Sequence, residues 1–371
     1  MNLRGAYYDG LTVLGVMLQR QPLCGPRIVQ VGICDECNLA CAMCNRLAMG
    51  AGGMMAAATL TRLLAELHPM GMRELFYHGF GEPCLHPGLP DMIRHAREHY
   101  PQVAQHIITN GACLSDRLFQ AIRAADVKVR VSAHAGERAT WQAVHPSDDA
   151  RLFDRITENI RRLAEGRQDR VEVLFVLTNL NCGGVEAMLE LAASTGVRHL
   201  LFRPMRLFPD AKGREMNRHL MLSRHQYERL QAELAQAMDA YRGQLDIQAV
   251  PFLENGFDQS LARPSSCDYY RHHSCYIGSV LTVIASNGDV WGCVEESSGG
   301  VPLGSIHRAA FGDIWRGEAY RRFRERQLFL DKDALSVDGC HSFCQHLGIN
   351  RKLNNVRRLR LRALRENVSN R

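Results

Sequence analysis

Short apolar runs alternate with amphipathic stretches between residues 29 and 205, at steps of about 30 residues. The apolar runs predict buried strands, and the stretches with apolar positions three and four apart predict helices. Six strands are predicted, at 27–34, 73–79, 103–110, 127–134, 170–178 and 197–204. Helices are predicted near 56–68, 88–99, 115–124, 151–165 and 184–195.

This rhythm is that of repeated strand–helix units, so it predicts an α/β fold with a parallel sheet, either doubly wound or closed into an incomplete barrel. In both arrangements ligands bind beyond the carboxyl ends of the strands. Residues that could bind a ligand or take part in catalysis lie at those ends. They are a cysteine loop after the first strand, Gly79 to Pro83 after the second, Asn110 after the third, Ser132 and His134 at the fourth, and Arg203 at the sixth. We expect them to form one site.

Three cysteines, Cys37, Cys41 and Cys44, have the spacing Cys-x3-Cys-x2-Cys. Three thiolates on one tight loop can hold three corners of an iron–sulfur cube and leave the fourth iron without a protein ligand. A metal centre that performs chemistry keeps a position free, as catalytic zinc sites do. The spacing therefore favours catalysis over simple electron transfer.

Cys34 leaves two alternatives open, because it could complete a four-thiolate zinc site or a closed cluster. Zinc ribbons separate their two Cys-x2-Cys pairs by about 15–20 residues, whereas only three residues separate the pairs here. Cys34 is more simply the end of a buried strand, where a thiol behaves as a small apolar side chain.

Composition fits an enzyme of about two domains: the chain has 371 residues, 46% of them hydrophobic and 23% charged. There are 13 cysteines, without a clear secretory signal or an apolar run long enough to span a membrane. We therefore expect a cytoplasmic protein with reduced, metal-bound thiols and no membrane partner.

The net charge of +6 comes from the end of the chain, since residues 351–371 carry eight basic side chains and one acidic. This basic tail could bind nucleic acid. It has no aromatic residue to stack on bases, so nucleic-acid binding is not expected. Its leucines instead suggest a helix on the protein surface.

Four short sequences in this order, CNLACAMC (37–44), GFGEP (79–83), TNG (109–111) and VSAH (131–134), resemble the radical S-adenosylmethionine (radical SAM) enzymes. The resemblance covers about residues 27–210 and implies a partial (β/α)6 TIM-like barrel. It also implies that S-adenosylmethionine chelates the open iron of a [4Fe-4S] cluster. A flavodoxin- or ferredoxin-type reductant would supply the electron that cleaves S-adenosylmethionine to methionine and a 5′-deoxyadenosyl radical. The radical then takes a hydrogen atom from the substrate.

The resemblance also implies roles for single residues. Gly79 and Gly81 would let the backbone approach the methionine part of the cofactor, whose ammonium group Glu82 would receive. The remaining expected cofactor contacts are Asn110 and Ser132 to ribose or carboxylate groups, Met43 to adenine, and Arg203 to the cofactor carboxylate. Asn110 and Ser132 could instead cap helices, and Arg203 could make a structural ion pair.

The candidate catalytic residues are His134, Glu82 and Cys267. A histidine at a strand end in the mouth of the site could transfer a substrate proton near neutral pH, although a structural histidine is an equal alternative.

Further cysteines occur in residues 247–345. Cys275 precedes a predicted hairpin with an Asn287-Gly288 turn that ends at Cys293. Cys340-x3-Cys344 follows a helix predicted over residues 311–327. Four cysteines have the ligand count of a closed metal site, either an iron–sulfur cluster or a structural zinc, and Cys267 could replace Cys275.

The order of these elements resembles the SPASM/Twitch extension of radical SAM enzymes, a small α+β domain, and the cysteine count matches the shorter Twitch form. The resemblance implies one auxiliary [4Fe-4S] cluster held by Cys275, Cys293, Cys340 and Cys344. A closed cluster would accept or relay an electron. The predicted layout is an N-terminal extension (1–26), the radical SAM core (27–222), a linking helix (223–246), the auxiliary domain (247–345) and the basic tail (346–371).

An electron acceptor beside a substrate radical favours oxidation, so we expect an oxidoreductase that dehydrogenates a small hydroxylated metabolite such as a sugar or aminoglycoside. The alternative is radical modification of a ribosomally made peptide by thioether formation, carbon–carbon crosslinking or epimerisation. The 26 residues before the first strand are too few for a leader-binding domain, so that alternative would use a separate leader-binding protein. A non-catalytic iron–sulfur electron carrier is the third possibility.

Overall fold

The computed structural model describes most of the chain and divides it into two compact units. The described residues are 3–18, 21–44, 53–79, 81–149, 151–205, 217–249, 257–258, 263–264, 267–270, 272–294, 301–328, 344 and 346–357. The core unit comprises the described parts of 32–55 and 76–265, and the terminal unit those of 1–31, 56–75 and 266–371.

The described residues form twelve strands: β1 (Ile28–Val31), β2 (Glu74–Tyr77), β3 (Ala104–Thr109), β4 (Lys128–Ser132), β5 (Val171–Leu177), β6 (His199–Pro204), β7 (Asp246–Gln248), β8 (Phe257–Asp258), β9 (Arg263–Pro264), β10 (Leu281–Ile284), β11 (Asp289–Trp291) and β12 (Gly304–Ser305).

The helices in the same ranges are α1 (Leu3–Leu18), α2 (Ala57–Leu67), α3 (Leu89–His99), α4 (Asp116–Ala124), α5 (Arg138–Val144), α6 (Leu152–Ala164), α7 (Val185–Thr195), α8 (Arg224–Ala240), α9 (Cys267–Tyr270), α10 (Phe311–Arg316) and α11 (Glu318–Leu328). Residues 347–357 are also helical.

The sheet of the core unit runs in the order β3-β4-β5-β6-β7, and every neighbouring pair is parallel. Side chains on β5 alternate between buried and half-buried positions, as expected of a strand that packs helices on one face. Local signals fix the helix ends: the Ser115 hydroxyl accepts the Leu118 N–H at the start of α4, and Gly196 ends α7 with φ of 74°.

The terminal unit brings three distant parts of the chain together. Strand β1 pairs in parallel with β10, and the antiparallel pairs β10-β11 and β11-β12 follow. Glu66 of α2 accepts the backbone N–H of Phe311 at 2.6 Å, and the indole of Trp315 donates to the carbonyl of Cys24 at 3.0 Å. The auxiliary region is therefore built partly from residues near the start of the chain.

The predicted mixed α/β fold with a mostly parallel sheet is confirmed, and all six predicted strands and five predicted helices occur within a few residues of their expected bounds. The hairpin also forms, with Gly288 at φ of 82° in its turn. The predicted domain limits stay predictions, although β1 and α2 lie in the terminal unit and not with the core residues of 27–222.

Within the described residues, no helix has the length and apolar character needed to cross a membrane. Most of the basic tail, from residue 358, lies outside the described residues, whereas its beginning is helical as predicted.

Candidate active site with two cysteine clusters

Backbone hydrogen bonds from three neighbouring segments hold the loop of residues 35–44, which carries the three spaced cysteines. The N–H of Glu82 donates to the carbonyl of Glu36 at 2.7 Å, and the N–H of Ala42 donates to the carbonyl of Val144 at 2.8 Å. The N–H of Asp35 donates to the carbonyl of Gly53 at 3.1 Å. These three hydrogen bonds define the path of the loop.

The three thiols lie close enough to influence each other electrostatically. Burial raises the pKa of Cys41 strongly, and the negative charges of Cys44 and Cys37 raise it further. Cys37 and Cys41 are half-buried and Cys44 is exposed. Thiolates crowded in this way need a bound cation to stabilise them, so the donor set fits an iron–sulfur cluster.

Within the described residues, no three Cys, His, Asp or Glu side chains converge as the ligands of a single metal ion would. The thiolates of an iron–sulfur cube each bind a different iron, so they need not share one point.

Cys34 is buried, as expected, but it lies three residues beyond the end of β1 and not within the strand. It is 1% exposed, pairs with Met54 through an isolated antiparallel bridge, and directs its thiol to the carbonyl of Glu36 at 3.6 Å. Burial raises the pKa of this thiol. Its place in the structure is that of a small apolar side chain.

The glycines of the second motif make a close approach to the cysteine-bearing segment of the chain itself. A Cβ on Gly79 would lie 2.6 Å from the Cα of Gly32, and a Cβ on Gly81 would overlap the backbone of Asp35 and Glu36. A side chain at Gly81 would push the loop away, and one at Gly79 would displace Gly32 just before it. The expected approach of these glycines to the cofactor stays a prediction.

Glu82 is 2% exposed and braces this region through both carboxylate oxygens. Oε1 accepts the Cys84 N–H at 2.9 Å and the Thr109 hydroxyl at 2.6 Å, and Oε2 accepts the Asn110 N–H at 2.7 Å. Burial raises the pKa of Glu82, and these hydrogen bonds oppose the rise. The carboxylate thus joins the GFGEP turn to the end of β3, while its expected roles toward the cofactor ammonium and in catalysis stay predictions.

Asn110 links the end of β3 to the cysteine loop. Its side-chain amide donates to Asn38 Oδ1 at 2.9 Å and approaches the sulfur of Cys37 at 3.8 Å, and its Oδ1 accepts the Ala112 N–H at 2.9 Å. The residue therefore lies beside the candidate cluster, where its expected cofactor contact stays a prediction.

Met43 is buried and packs in an apolar cluster with Val144, Met205 and Leu220. Its carbonyl accepts a hydrogen bond from the amide of Asn217 at 3.4 Å. These contacts fix Met43 in the chain just before the third cysteine, while its expected adenine contact stays a prediction.

Half-buried polar side chains occur side by side on β4, β5 and β6. Arg130 forms an ion pair with Glu172 directly across from it, and Ser132 and Arg203 are also half-buried, nearer the carboxyl ends of their strands. Burial and the charge of Arg130 lower the pKa of Arg203 to about 10, and Glu172 opposes this. The face therefore carries two guanidinium groups and one carboxylate among these residues.

His134 is held by the fold on both sides. Its Nδ1 accepts the Val176 N–H at 3.0 Å, its carbonyl accepts the amide of Asn181 at 2.6 Å, and its ring stacks on His145. Burial, together with His145, lowers its pKa well below the ordinary value. These contacts favour the structural alternative, because a catalytic base near neutral pH needs a pKa near that pH; proton transfer by His134 stays a prediction.

The second group of cysteines lies in the terminal unit, where Cys275, Cys293 and Cys344 are all buried. Tyr270 and Asn350 connect two of them: the Tyr270 hydroxyl is 3.1 Å from Cys344 Sγ, and the Asn350 amide is 3.5 Å from Cys275 Sγ. Cys340 and the side chain of Cys267 lie outside the described residues. The described thiols fit part of a closed cluster.

Several residues that shape these sites were not singled out from the sequence. Asn38 and Thr109 lie inside matched motifs and could have been found as polar neighbours of the cysteines and Asn110. Asn350 lies in the helical residues beyond Cys344, and only the structure shows that it contacts Cys275.

Comparisons with known proteins agree with this geometry. Residues 31–192 match the family model of the radical SAM superfamily, and residues 275–345 match the SPASM model, described as an iron–sulfur cluster-binding domain. The chain therefore belongs to the radical SAM superfamily and carries a C-terminal SPASM domain. These families imply a SAM-binding [4Fe-4S] cluster and auxiliary iron–sulfur binding, as the sequence predicted.

Two kinds of curated relative are similar to the chain. GTP 3′,8-cyclase of Chlorobaculum tepidum is 27% identical over 49% of this chain and 53% of its own length. PqqA peptide cyclase of Xanthomonas oryzae pv. oryzae is 26% identical over 81% of this chain and 77% of its own length. The chain thus spans about half the length of the cyclases of the first kind.

Solved structures share the fold at low sequence identity. SuiB of Streptococcus suis superposes with a TM-score of 0.62 at 14% identity, over 81% of this chain and 68% of SuiB. A structure of anSMEcpe with bound AdoMet gives 0.64 at 15% identity, over 85% of this chain and 89% of that one. The radical SAM fold assignment is confirmed by these superpositions.

Proposed function

We propose that this radical SAM enzyme modifies a peptide, by thioether formation, carbon–carbon crosslinking or epimerisation. The observation that carries the proposal is the similarity to PqqA peptide cyclase, which spans 81% of the chain and so extends well beyond the radical SAM core. Two proteins of this fold, SuiB and anSMEcpe, have been solved with a peptide bound. This supports only that the fold accommodates such a substrate.

In the proposed enzyme, Cys37, Cys41 and Cys44 hold the cluster that supplies reductive cleavage of S-adenosylmethionine when cluster and cofactor are bound. Glu82 and Asn110 keep the loop in place through the end of β3.

The half-buried face of β4 to β6 is the proposed floor of the substrate site, because polar groups there lie at and below the carboxyl ends of parallel strands. Arg130 and Glu172 neutralise each other, and Arg203 adds a second positive charge. A peptide offers carbonyl oxygens and carboxylates that such guanidinium groups bind well. Arg203 is equally proposed as a partner of the cofactor carboxylate.

Cys275, Cys293, Cys340 and Cys344 are proposed to hold one auxiliary [4Fe-4S] cluster, with Cys267 as a possible substitute for Cys275. Such a cluster would take up or pass on the electron released when a substrate radical is oxidised. A flavodoxin- or ferredoxin-type protein is the proposed reductant, and the cytoplasm the proposed location.

The test is anaerobic turnover of the reconstituted full chain with dithionite, S-adenosylmethionine and synthetic peptides. The sequences of these peptides are those encoded by short reading frames beside the gene. We expect 5′-deoxyadenosine to form and the peptide mass to fall by two hydrogens for a crosslink, or to stay constant with an inverted stereocentre for epimerisation. The Cys37→Ala, Cys41→Ala, Cys44→Ala triple variant is the control, and it should leave the peptide unchanged.

Two results would contradict peptide modification. Consumption of a hydroxylated metabolite, such as a sugar or aminoglycoside, with loss of two hydrogens and no change to any peptide would support the dehydrogenation expected from the sequence. Failure of the reduced protein to cleave S-adenosylmethionine at all would indicate an iron–sulfur carrier.

A further inference from the structure

A buried asparagine and tyrosine lie against two of the auxiliary cysteines. Asn350 is 0% exposed and Tyr270 is 3% exposed, and the Asn350 amide nitrogen is 2.8 Å from the Tyr270 oxygen. The same nitrogen is 3.5 Å from Cys275 Sγ, and the Tyr270 oxygen is 3.1 Å from Cys344 Sγ. One polar pair thus reaches two sulfurs that are 69 residues apart in the chain.

The direction of these hydrogen bonds follows from the backbone. The Oδ1 of Asn350 accepts the N–H of Tyr276 at 2.7 Å, so the amide nitrogen must point toward Tyr270 and Cys275. Because that nitrogen donates to the Tyr270 oxygen, the hydroxyl hydrogen of Tyr270 is left to donate to Cys344. Tyr270 is therefore arranged as a donor to Cys344, and the second amide hydrogen of Asn350 is shared between Cys275 Sγ and the carbonyl of His346, which is 3.4 Å away.

The surrounding helix holds this arrangement. Asn350, Asn354 and Arg357 follow each other at helical spacing within residues 347–357. The amide of Asn354 donates to the carbonyl of Ser274 at 2.9 Å, and Arg357 donates to the Tyr276 hydroxyl at 2.9 Å. One helix face therefore holds the segment that carries Cys275. Asn350 lies beyond residues 275–345, where the SPASM match ends.

We propose that Asn350 and Tyr270 are positioning residues of the auxiliary cluster, which hold Cys275 and Cys344 in place and raise the reduction potential of the cluster. A ligating thiolate has no hydrogen and can only accept, so both contacts become charge-assisted hydrogen bonds when iron is bound. Reduction adds one negative charge, and donors to the sulfurs stabilise that charge. The proposal holds for any substrate.

A purely structural role is the alternative, because the side-chain Oδ1 of Asn350 also accepts a hydrogen bond from the backbone N–H of Tyr276. The two roles use different atoms. Removing the Tyr270 hydroxyl leaves the bond between Asn350 and Tyr276 intact, and the aromatic ring still fills its space. Tyr270→Phe therefore isolates the contact to sulfur.

The experiment uses the full chain with Cys37→Ala, Cys41→Ala and Cys44→Ala, so that iron is bound only at the auxiliary site. Tyr270→Phe is added to this background, and the reconstituted cluster is titrated with dithionite and followed by electron paramagnetic resonance. We expect the ratio of reduced to oxidised cluster at a fixed potential to fall about tenfold, a shift of about 59 mV to lower potential. Tyr269→Phe is the matched control, because it removes the hydroxyl of the neighbouring tyrosine while its ring can still stack on His273.

A second variant, Asn350→Asp, keeps the acceptor for Tyr276 and removes the donor hydrogens, and it should shift the potential in the same direction. Loss of auxiliary iron in Tyr270→Phe, with circular dichroism and unfolding temperature unchanged, would also support positioning of Cys344. Full iron content with an unchanged potential in both variants would overturn the proposal.

Discussion

Cys34 and Cys37 stand three residues apart, yet their sulfurs have different surroundings. Cys34 is buried at the bridge to Met54, whereas Cys37 is half-buried beside Asn110. We predict that Cys34→Ala keeps its iron and its cleavage of S-adenosylmethionine, with a loss of about 1 kcal/mol in stability from the removed sulfur. Iron per chain and 5′-deoxyadenosine formation are the measurements.

Cys41→Ala is the matched control for that substitution and should lose the N-terminal cluster. Equal loss of iron in both variants would mean that Cys34 is a ligand, and the open iron on which the enzymology depends would then be absent.

His106 provides a prediction for pH dependence. Its ring stacks on Phe76 at 4.2 Å, and burial together with the charges of Lys128 and Arg130 lowers its pKa from 6.5 to about 4. A pKa that is lower in the folded state stabilises the fold above pH 6.5, and this stability is lost as the pH falls through 4. We expect His106→Phe, which keeps the stacked ring, to reduce the fall in unfolding free energy between these pH values by about 1–3 kcal/mol.

Urea unfolding of the full chain at a series of pH values measures this effect, with His99→Phe on the exposed end of α3 as the control. Identical pH profiles for wild type and His106→Phe would show that another group dominates the acid sensitivity.

Residue types at the site were predictable, but their orientation was not. The cysteines, Glu82 and Asn110 follow from motifs whose spacing is fixed by the chemistry. Glu82 turns both oxygens to protein donors, and Met43 packs behind the loop. Such details depend on which neighbours distant segments supply, and no short motif encodes them.

At the scale of elements, the turn at residues 79–82 and the cysteine loop are packed backbone against backbone. A methyl group on Gly81 would overlap Asp35 and Glu36. We predict that Gly81→Ala displaces the loop and prevents assembly of the N-terminal cluster while the auxiliary iron is retained. Iron content and electron paramagnetic resonance of the reconstituted variant test this.

Gly183→Ala is the matched control, since nothing lies within 4 Å of a Cβ at that position. Full iron content in Gly81→Ala would mean that the loop can move aside without loss of its ligands.

The elements themselves followed closely from sequence because strand and helix periods are local properties. Two features departed from expectation. Residues 311–327, which read as one helix, form α10 and α11 with an extended break at Gly317. The helix α1 was not predicted, and its position depends on tertiary contacts such as the hydrogen bond from Tyr8 to the carbonyl of Pro69 at 2.7 Å. Long-range contacts of this kind override weak local preference.

At the scale of the whole molecule, the two groups of cysteines lie in separate units. We predict that wild type, reconstituted anaerobically, binds twice as much iron as the Cys37→Ala, Cys41→Ala, Cys44→Ala variant, because one [4Fe-4S] cluster remains in the terminal unit. Colorimetric iron and sulfide determination per chain provides the measurement.

The matched variant for that comparison is Cys275→Ala with Cys293→Ala, which should retain the N-terminal cluster alone. A triple variant with no iron at all would remove the auxiliary cluster from the proposed enzyme.

The division into units was not predictable from the order of elements. The sequence suggested a core followed by an auxiliary domain, whereas β1 and α2 lie in the same unit as residues from 266 onward. Parallel pairing between β1 and β10 joins the backbone edges of two segments that are far apart in the chain. The spacing of apolar residues within a single strand does not predict which distant strand it pairs with.

The pairing of Ile28 with Leu281 has a consequence for synthesis of the protein on the ribosome. About 250 residues must be translated after β1 before β10 exists, which takes roughly 13–50 s at about 5–20 residues per second. During that interval the edge of β1 exposes backbone N–H and C=O groups that β10 finally pairs with. Nascent chains should therefore depend on chaperones until the start of the last quarter of the protein has emerged.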